Sequence, residues 1–314
     1  MLQYYQKHTI HEEFQAVRTP GEDGWLHVGH PTADELHELV EQYSLDGNIV
    51  RDVLDHGELP RSEFSGGNLY VFLRQAERSR HSGEVFTSPL LIVLTSSMFM
   101  TIAPSPQATD QMIMTAHKNL GNGIRTANRP EMLLLTMKAV IAQYEELIKH
   151  TGNYVKDVRR KLRNHEVSNG DFVHFVTIED NLNEYQMNLQ NILGVTERLR
   201  TDDHSIFSHR TLEELDDVRL YIRQLLSSVT SHSQSVTSIR NAYSTIANNT
   251  LNQRMKALTM LTVLIALPNV FYGMYGMNVP LPFQDSPLAY ACIVLFTFVL
   301  IFSVYGLAKR FRVF

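Results

Sequence analysis

A row of uncharged polar side chains recurs at alternating spacings of three and four residues in the last third of the chain. Its members carry amides or hydroxyls and are Gln224, Ser227, Ser231, Gln234, Ser238, Asn241, Thr245, Asn248 and Asn252. Side chains at this spacing share one face of an α-helix. Exposed helix faces are normally rich in charged residues, and this row, called the polar row below, contains neither Glu nor Lys.

The same spacing extends the polar row in both directions. Toward the carboxyl end it reaches Met255, Thr259, Thr262, Ala266, Asn269, Gly273 and Gly276, and backward it passes through Leu220 to Asp217. We interpret the continuous neutral part of this face, from Gln224 to Gly276, as the lining of a water-filled path. Small and polar residues also pack helices together inside membranes, so helix packing is the alternative for the part after residue 252.

Neutral oxygens on such a face suit a hydrated magnesium ion, which loses water reluctantly and prefers octahedral oxygen coordination. Amide and hydroxyl oxygens can hydrogen-bond the water shell and let the ion pass. A ring of carboxylates would hold the ion more tightly and slow its release. The polar row carries no Cys or His, which gives a soft-metal preference little support.

A second, mostly apolar row lies beside the polar row at the same spacing and is called the apolar row. It comprises Val218, Ile222, Leu225, Val229, His232, Val236, Ile239, Tyr243 and Ile246. A heptad pattern of this kind predicts that the helix packs along this side against another helix.

Two uncharged runs, at residues 257–275 and 288–308, are each near the roughly 20 residues that cross a bilayer. The alternative is a pair of buried core helices in a soluble protein. Basic residues flank the pair on one side only: Arg254 and Lys256 precede it, and Lys309, Arg310 and Arg312 follow it. The positive-inside rule then places both termini in the cytoplasm and the connecting loop outside. The first residues lack the pattern of a cleaved secretion signal.

The rest of the chain predicts an α/β domain followed by helices. Residues 68–73 and 89–102 are β-rich, and the second run is long enough for two strands and a turn. A helix start is predicted around Thr32, and Thr211 with Glu214 has the form of a capping box that opens one helix running into the membrane. The expected organisation is an α/β domain at 1–130, antiparallel helices at 131–210, a long stalk helix and first span at 211–275, an external loop at 276–287, a second span at 288–308 and a basic tail at 309–314.

Composition excludes several functional classes. A net charge of −5 argues against nucleic-acid binding, and the single Cys292 excludes an intrachain disulfide. No Walker loop, nucleophile elbow or zinc-hydrolase motif is present, so neither an enzyme nor a nucleotide-driven pump is expected. The clusters His27/His30 and Asp202-Asp203-His204 are interpreted as ordinary surface. Asp216 and Asp217 lie near a predicted helix start. Their negative charges could simply complement the helix dipole, which is the alternative to a metal-binding role.

The residues Tyr275-Gly276-Met277-Asn278, at the end of the first of two carboxyl-terminal spans, resemble the signature of the CorA family of magnesium and cobalt channels. The following Val279-Pro280-Leu281-Pro282 looks like a bacterial branch of that family. Residues 50–72 and 252–258 are similar to other stretches of it. The resemblance implies an α/β cytoplasmic domain, a long helical stalk and two transmembrane helices, assembled as a funnel-shaped homopentamer in the bacterial inner membrane.

By that resemblance an axial pore is lined by the first transmembrane helix, and Asn278 forms an outer ring that contacts the hydrated ion beside Gly276 and Met277. Matching pore-lining positions are Asn252, Met255, Leu258 and Gly273; Leu258 adjoins Thr259 of the polar row. Asp217, with Asp216 beside it, matches a regulatory metal site for cytoplasmic Mg2+. The expected cargo is Mg2+, with Co2+ and Ni2+ also passing. A Zn2+ transporter of the same fold and a non-conducting membrane scaffold are the alternatives.

The chain departs from the family pattern in its acidic residues. Asn241 stands where the family has an acidic ring, and Asp285 is the one acidic residue of the external loop. The first transmembrane segment reads Leu267-Pro268-Asn269, which shifts the family's proline and replaces its threonine. The segment 74–84 is mixed in charge and offers no clear acidic partner for Asp217. These departures weaken the inference of regulation by magnesium more than the inference of conduction.

Overall fold

The computed structural model describes residues 2–8, 13–18, 23–78, 84–105, 109–120, 123–163, 169–201, 206–277 and 287–310. The chain divides into two compact units, Met1–Ile239 and Arg240–Phe314.

The amino-terminal unit is built on one mixed seven-stranded sheet. The strands are β1 Leu2–Gln6, β2 Gln15–Val17, β3 Trp25–Gly29, β4 Arg61–Ser65, β5 Asn68–Arg78, β6 Val85–Leu94 and β7 Phe99–Ala103. They lie in the order β2-β1-β3-β7-β6-β5-β4. Only the β3–β7 pair is parallel among these strands. The two strands predicted within 89–102 are confirmed as the end of β6 and β7.

Alternating side chains of the central strands feed a separate core on each face of the sheet. On one face, Tyr70 and Phe72 pack with the helices α1 Ala33–Tyr43 and α2 Gly47–Asp52. The predicted start of α1 is confirmed, because Thr32 and Glu35 form a reciprocal capping box. On the other face, Val71 and Leu73 join the larger core.

Four helices contribute to this larger core: α3 Thr109–Leu120, α4 Arg129–Arg163, α5 Asn169–Arg200 and α6 His209–Tyr275. Tyr144 and Tyr154 of α4 meet Tyr185 and His174 of α5, respectively, so these two helices are antiparallel. Lys138 and Arg159 of α4 meet Glu214 and Ser235 of α6, so α4 and α6 are parallel.

The helix predicted to run uninterrupted toward the membrane is confirmed as α6, which contains Pro268. Its predicted first cap is wrong. The helix begins at His209, and the Ser208 hydroxyl accepts a hydrogen bond from the Thr211 backbone N–H at 3.2 Å. Ser208 therefore caps the helix, while the side chain of Thr211 is buried inside the first turn.

The carboxyl-terminal unit contains the end of α6 and the helix α7 Ala289–Arg310. Phe271 of α6 and Phe296 of α7 meet edge to face, with ring centroids 5.2 Å apart. Both helices are long and apolar enough to cross a membrane, and 0% and 6% of the residues in their most apolar windows are buried. A pair of soluble core helices would be mostly buried, whereas these two windows are exposed in the single chain, as membrane-spanning helices would be.

Candidate functional site

The polar row and the apolar row occupy different sides of α6, as the spacing predicts. All nine polar-row residues from Gln224 to Asn252 are exposed in the single chain. In the apolar row, Ile222, Val229 and Val236 are completely buried, while Tyr243 and Ile246 are half-buried. Up to Ile239, α6 therefore presents its uncharged amides and hydroxyls outward, while the apolar row packs against the rest of the amino-terminal unit.

The helix α4 holds α6 through four contacts whose α4 members lie one heptad apart. Lys138 Nζ is 2.8 Å from Glu214 Oε2, and Arg159 Nη2 donates to Ser235 Oγ at 3.1 Å. Between these two contacts along the helices, Tyr221 of α6 is hydrogen-bonded to Glu145 of α4. Burial, and then this hydrogen bond, raise the pKa of the Tyr221 hydroxyl. The remaining contact is between Gly152 and His232. These four contacts set the rotation of α6 within the amino-terminal unit, and hence the direction in which the polar row faces from Gln224 to Ser238.

Four hydroxyls in the polar row share one hydrogen-bonding arrangement. Ser238 and Thr245 donate to the carbonyl oxygens of Gln234 and Asn241, at 2.9 and 3.0 Å. In the carboxyl-terminal unit Thr259 and Thr262 donate to the carbonyls of Met255 and Leu258, again at 2.9 and 3.0 Å. A hydroxyl that has donated its proton to its own helix can act toward solvent only as an acceptor. These oxygens can therefore accept hydrogen bonds from water molecules around a cation.

The predicted pore-lining residues of the carboxyl-terminal unit lie on the outside of α6. Those exposed in the single chain are Asn252, Met255, Leu258, Thr259, Thr262, Ala266, Asn269 and Gly273. A surface cavity of about 680 Å3 brings together Asn252, Met255 and Thr259, with Lys256 also in its lining. The polar row thus stays exposed in this part of the helix, as do all of residues 247–259 in the single chain.

The predicted selectivity loop is only partly described. The backbone N–H of Gly276 donates to the carbonyl of Tyr272 at 3.1 Å and closes the last turn of α6. Met277 is exposed. Asn278 lies outside the described residues, as do Asp285 and the Asp202-Asp203-His204 cluster.

Asp216 and Asp217 differ in their surroundings. The Oδ1 atom of Asp216 lies 3.0 Å from Arg200 Nε and 3.1 Å from Arg219 Nη2, so its charge is matched within the chain, whereas Asp217 is exposed. Across the part of the chain that the structure describes, no three His, Cys, Asp or Glu side chains converge as metal ligands would. The described residues of one chain therefore do not by themselves assemble a set of metal ligands around Asp217.

The histidine pair His27/His30 belongs to the sheet. His27 is buried, and its Nδ1 lies 3.0 Å from the hydroxyl of Thr101, which also accepts from the indole N–H of Trp25. Burial lowers the pKa of His27, although Asp110 opposes that effect. His30 is exposed with a positive φ of 52° at the end of β3. The interpretation of His27 as ordinary surface is therefore wrong, because its burial and these contacts give it a role in packing the sheet, whereas His30 does lie on the surface.

Sequence reasoning missed the interhelical contacts of α4. The available signals were a histidine within an apolar row and a glycine in the interior of a long helix, where glycine is unfavourable. Neither signal identifies its partner, because Gly152 and His232 are remote in sequence.

A family model described as CorA-like Mg2+ transporter protein matches residues 24–310. The chain belongs to this family. CorA membership accounts for the combination of an α/β sheet domain, one very long helix and a second apolar helix at the carboxyl end.

Two curated CorA relatives are similar along most of their length. The cobalt/magnesium transport protein CorA of Methanocaldococcus jannaschii is 23% identical over 90% of this chain and 90% of its own length. That of Thermotoga maritima is 20% identical over 81% of this chain and 72% of its own length. The solved structure of the CorA magnesium transporter from M. jannaschii superposes with a TM-score of 0.82 at 18% identity, covering 99% and 98% of the two chains.

Proposed function

We propose that the protein is a divalent-cation channel that conducts Mg2+ most readily and also passes Co2+ and Ni2+. The observation that carries the proposal is the exposed, uncharged polar row of α6, which runs from the amino-terminal unit into the helix's apolar segment. Membership of the CorA-like family supports the class of cargo, and two relatives are named as cobalt/magnesium transport proteins.

The chemistry of the polar row fits a hydrated ion. Water molecules bound to Mg2+ point their hydrogens outward, and amide or hydroxyl oxygens can accept those hydrogens without removing the water. The hydroxyls of Thr245, Thr259 and Thr262 have already donated their own hydrogens to α6. Their free lone pairs match that demand, and their neutrality lets the ion leave again.

One face of one helix cannot enclose a path, so conduction requires several copies of the chain around an axis. The family resemblance implies five copies, with Asn278 forming an outer ring that contacts the hydrated ion beside Gly276 and Met277. Each of the predicted pore-lining residues from Asn252 to Gly273 would then repeat around the axis. The many exposed apolar side chains of α7, including Leu295 and Phe302, would face lipid.

The proposed topology places both termini in the cytoplasm of a bacterium and the 276–287 loop outside the inner membrane. The basic residues Arg254, Lys256, Lys309 and Arg310 then lie on the cytoplasmic side. In this assignment residues 1–130 and 131–210 form the cytoplasmic domain, 211–275 the stalk and first span, 288–308 the second span, and 309–314 a basic tail.

Regulation by Mg2+ at Asp217 is proposed only as a site shared between copies. Since Asp216 is already paired with Arg200 and Arg219, Asp217 is the available carboxylate, and ligands from a second copy must complete the site. This regulatory metal would be distinct from the transported ion.

Metal flux into proteoliposomes tests the proposal. We expect uptake of Mg2+, with Co2+ and Ni2+ also entering, and loss of uptake in Asn278→Ala. The exposed Asn153 of α4 supplies a matched control, because Asn153→Ala should conduct normally. Dominant Zn2+ flux would favour the zinc transporter over the magnesium channel. An absence of flux for all four metals would favour the non-conducting scaffold.

A further inference from the structure

His232 is the polar member of the buried part of the apolar row. It lies between Val229 and Val236, both of which are completely buried, and is itself half-buried. An imidazole in this position is removed from most of the water that would stabilise its protonated form. Its location between α4 and α6 places a titratable group inside the contact that orients the polar row.

The ring of His232 fills the space left by a glycine. A Cβ atom added at Gly152 would lie 2.6 Å from Nε2 and 2.8 Å from Cε1 of His232. These distances are far below van der Waals contact, so the imidazole rests directly against the backbone of α4. Any reorientation of the ring toward water must therefore change the packing of the two helices.

The surrounding charges oppose proton uptake. Lys156 lies one helical turn beyond Gly152 on α4, and Arg159 of the next turn donates to Ser235, close to His232 on α6. Asp157 is paired with Arg160, and the neighbouring polar residues of α6 are Ser231, Ser233 and Ser235. From α5, His174 packs against Tyr154 of α4. Burial, and then the charge of Lys156, lower the pKa of His232.

We propose that His232 makes the α4–α6 contact proton-sensitive, so that acidification loosens this contact and thereby changes conduction. The first part concerns the amino-terminal unit alone, while the second part rests on the proposed channel function. A protonated His232 can respond in two ways. Its charged ring stays half-buried beside Lys156 and Arg159, or the ring moves toward water. Both weaken the packing that fixes the rotation of α6.

Hydrogen exchange of the full-length protein in detergent tests the first part. Protection factors of α4 and α6 amides around residues 152 and 232, corrected for intrinsic rates, are compared at about pH 7.5 and about pH 5.5. We expect protection in the wild type to fall at least about threefold on acidification. His232→Gln should reduce this fall, whereas His209→Gln should preserve it in full, because His209 is exposed at the start of α6 and paired with Glu213. When protection is followed between these two pH values, the midpoint of its fall should lie at higher pH in Lys156→Gln. This variant keeps the ring of His232 in place but removes the positive charge that opposes its protonation.

An equal fall of protection in wild type and His232→Gln would overturn the proposal. If His232→Gln failed to fold, the proposal would be overturned by a Lys156→Gln variant in which the midpoint of the fall in protection stayed at the wild-type pH. Magnesium flux measured over the same pH range tests the second part, and the pH dependence of flux should flatten in His232→Gln. A flux that ignores pH while protection still depends on His232 overturns the link to conduction. An absence of flux with the protection result intact overturns the proposed channel function instead.

Discussion

Lys138 of α4 and Glu214 of α6 form an ion pair with 2.8 Å between Nζ and Oε2. The same number of residues further along both helices, Arg159 donates to Ser235. Two such contacts in register mean that the helices run parallel and keep a fixed rotation between them. Since the polar row occupies another side of α6, the α4 contacts determine where its members from Gln224 to Ser238 point.

The buried apolar row should dominate the stability of this arrangement. Ile222 is completely buried, so Ile222→Ala should lower the free energy of unfolding by about 2–5 kcal/mol. Leu220 is two residues away but 57% exposed. Leu220→Ala should therefore change the free energy of unfolding by less than about 0.5 kcal/mol. The protein has one tryptophan, the buried Trp25, so its fluorescence during unfolding in detergent reports on the amino-terminal unit. Equal effects of the two changes would contradict the assignment of the rows.

The glycines of α4 and α5 should respond in opposite directions to alanine. Gly152→Ala forces a methyl group into the ring of His232, and we expect a loss of about 1–3 kcal/mol in the free energy of unfolding. Gly194 lies inside α5 with no atom within 4 Å of an added Cβ. There Gly194→Ala should stabilise the protein by about 0.5–1 kcal/mol, because alanine is favoured in helices. Thermal melts followed by Trp25 fluorescence measure both. Stabilisation by Gly152→Ala would show that α4 and α6 do not approach this closely.

Conduction should depend on the side of α6 that a hydroxyl occupies. Thr245 is on the polar row and Thr250 is on another side of the helix, yet each donates to the carbonyl four residues earlier, at 3.0 and 2.9 Å. Valine is nearly isosteric with threonine but offers no acceptor. Thr245→Val should lower Mg2+ flux by about threefold to tenfold, the value of one hydrogen bond, whereas Thr250→Val should leave it unchanged. Proteoliposome uptake at limiting Mg2+ distinguishes the two, and equal losses would contradict a path along the polar row.

Much of this arrangement was predictable because helical periodicity is local. The spacing of Val218, Ile222 and Val229 is sufficient to predict a buried side, and the neighbouring amides and hydroxyls then mark another side. The two strands within 89–102 are also predicted by their composition. These predictions require only residues that are close in sequence, and the structure confirms them.

Other features depend on the tertiary structure. The choice between Ser208 and Thr211 as a cap is decided by where α6 packs, since Thr211 is buried. The fit between Gly152 and His232 depends on the register of two helices that are remote in sequence. Similarly, the pairing of Asp216 with Arg200 requires α5 and α6 to meet. A single sequence contains these partners but does not indicate which of them pair.

Acid should destabilise the amino-terminal unit through the buried His27 and the half-buried His117. Burial, followed for His117 by the nearby Lys7, lowers the pKa of His27 and His117 below the ordinary 6.5. The unfolded chain then binds more protons than the folded chain as the pH falls below about 6.5, so stability is lost in that range. Trp25 melts should show a lower transition temperature at about pH 5.5 than at about pH 7.5, and His117→Gln should reduce the difference. A transition temperature that rises on acidification would contradict this sign.

The two adjacent carboxylates of α6 should separate structural from metal-binding roles. Asp216→Asn removes the charge between Arg200 and Arg219, and we expect a loss of up to about 1 kcal/mol, because all three side chains are partly exposed. Asp217→Asn should leave the melting temperature without metal unchanged. If copies share a magnesium site at Asp217, added Mg2+ should raise the melting temperature of the wild type and of Asp216→Asn but not of Asp217→Asn. An equal rise in all three proteins would place the magnesium effect elsewhere.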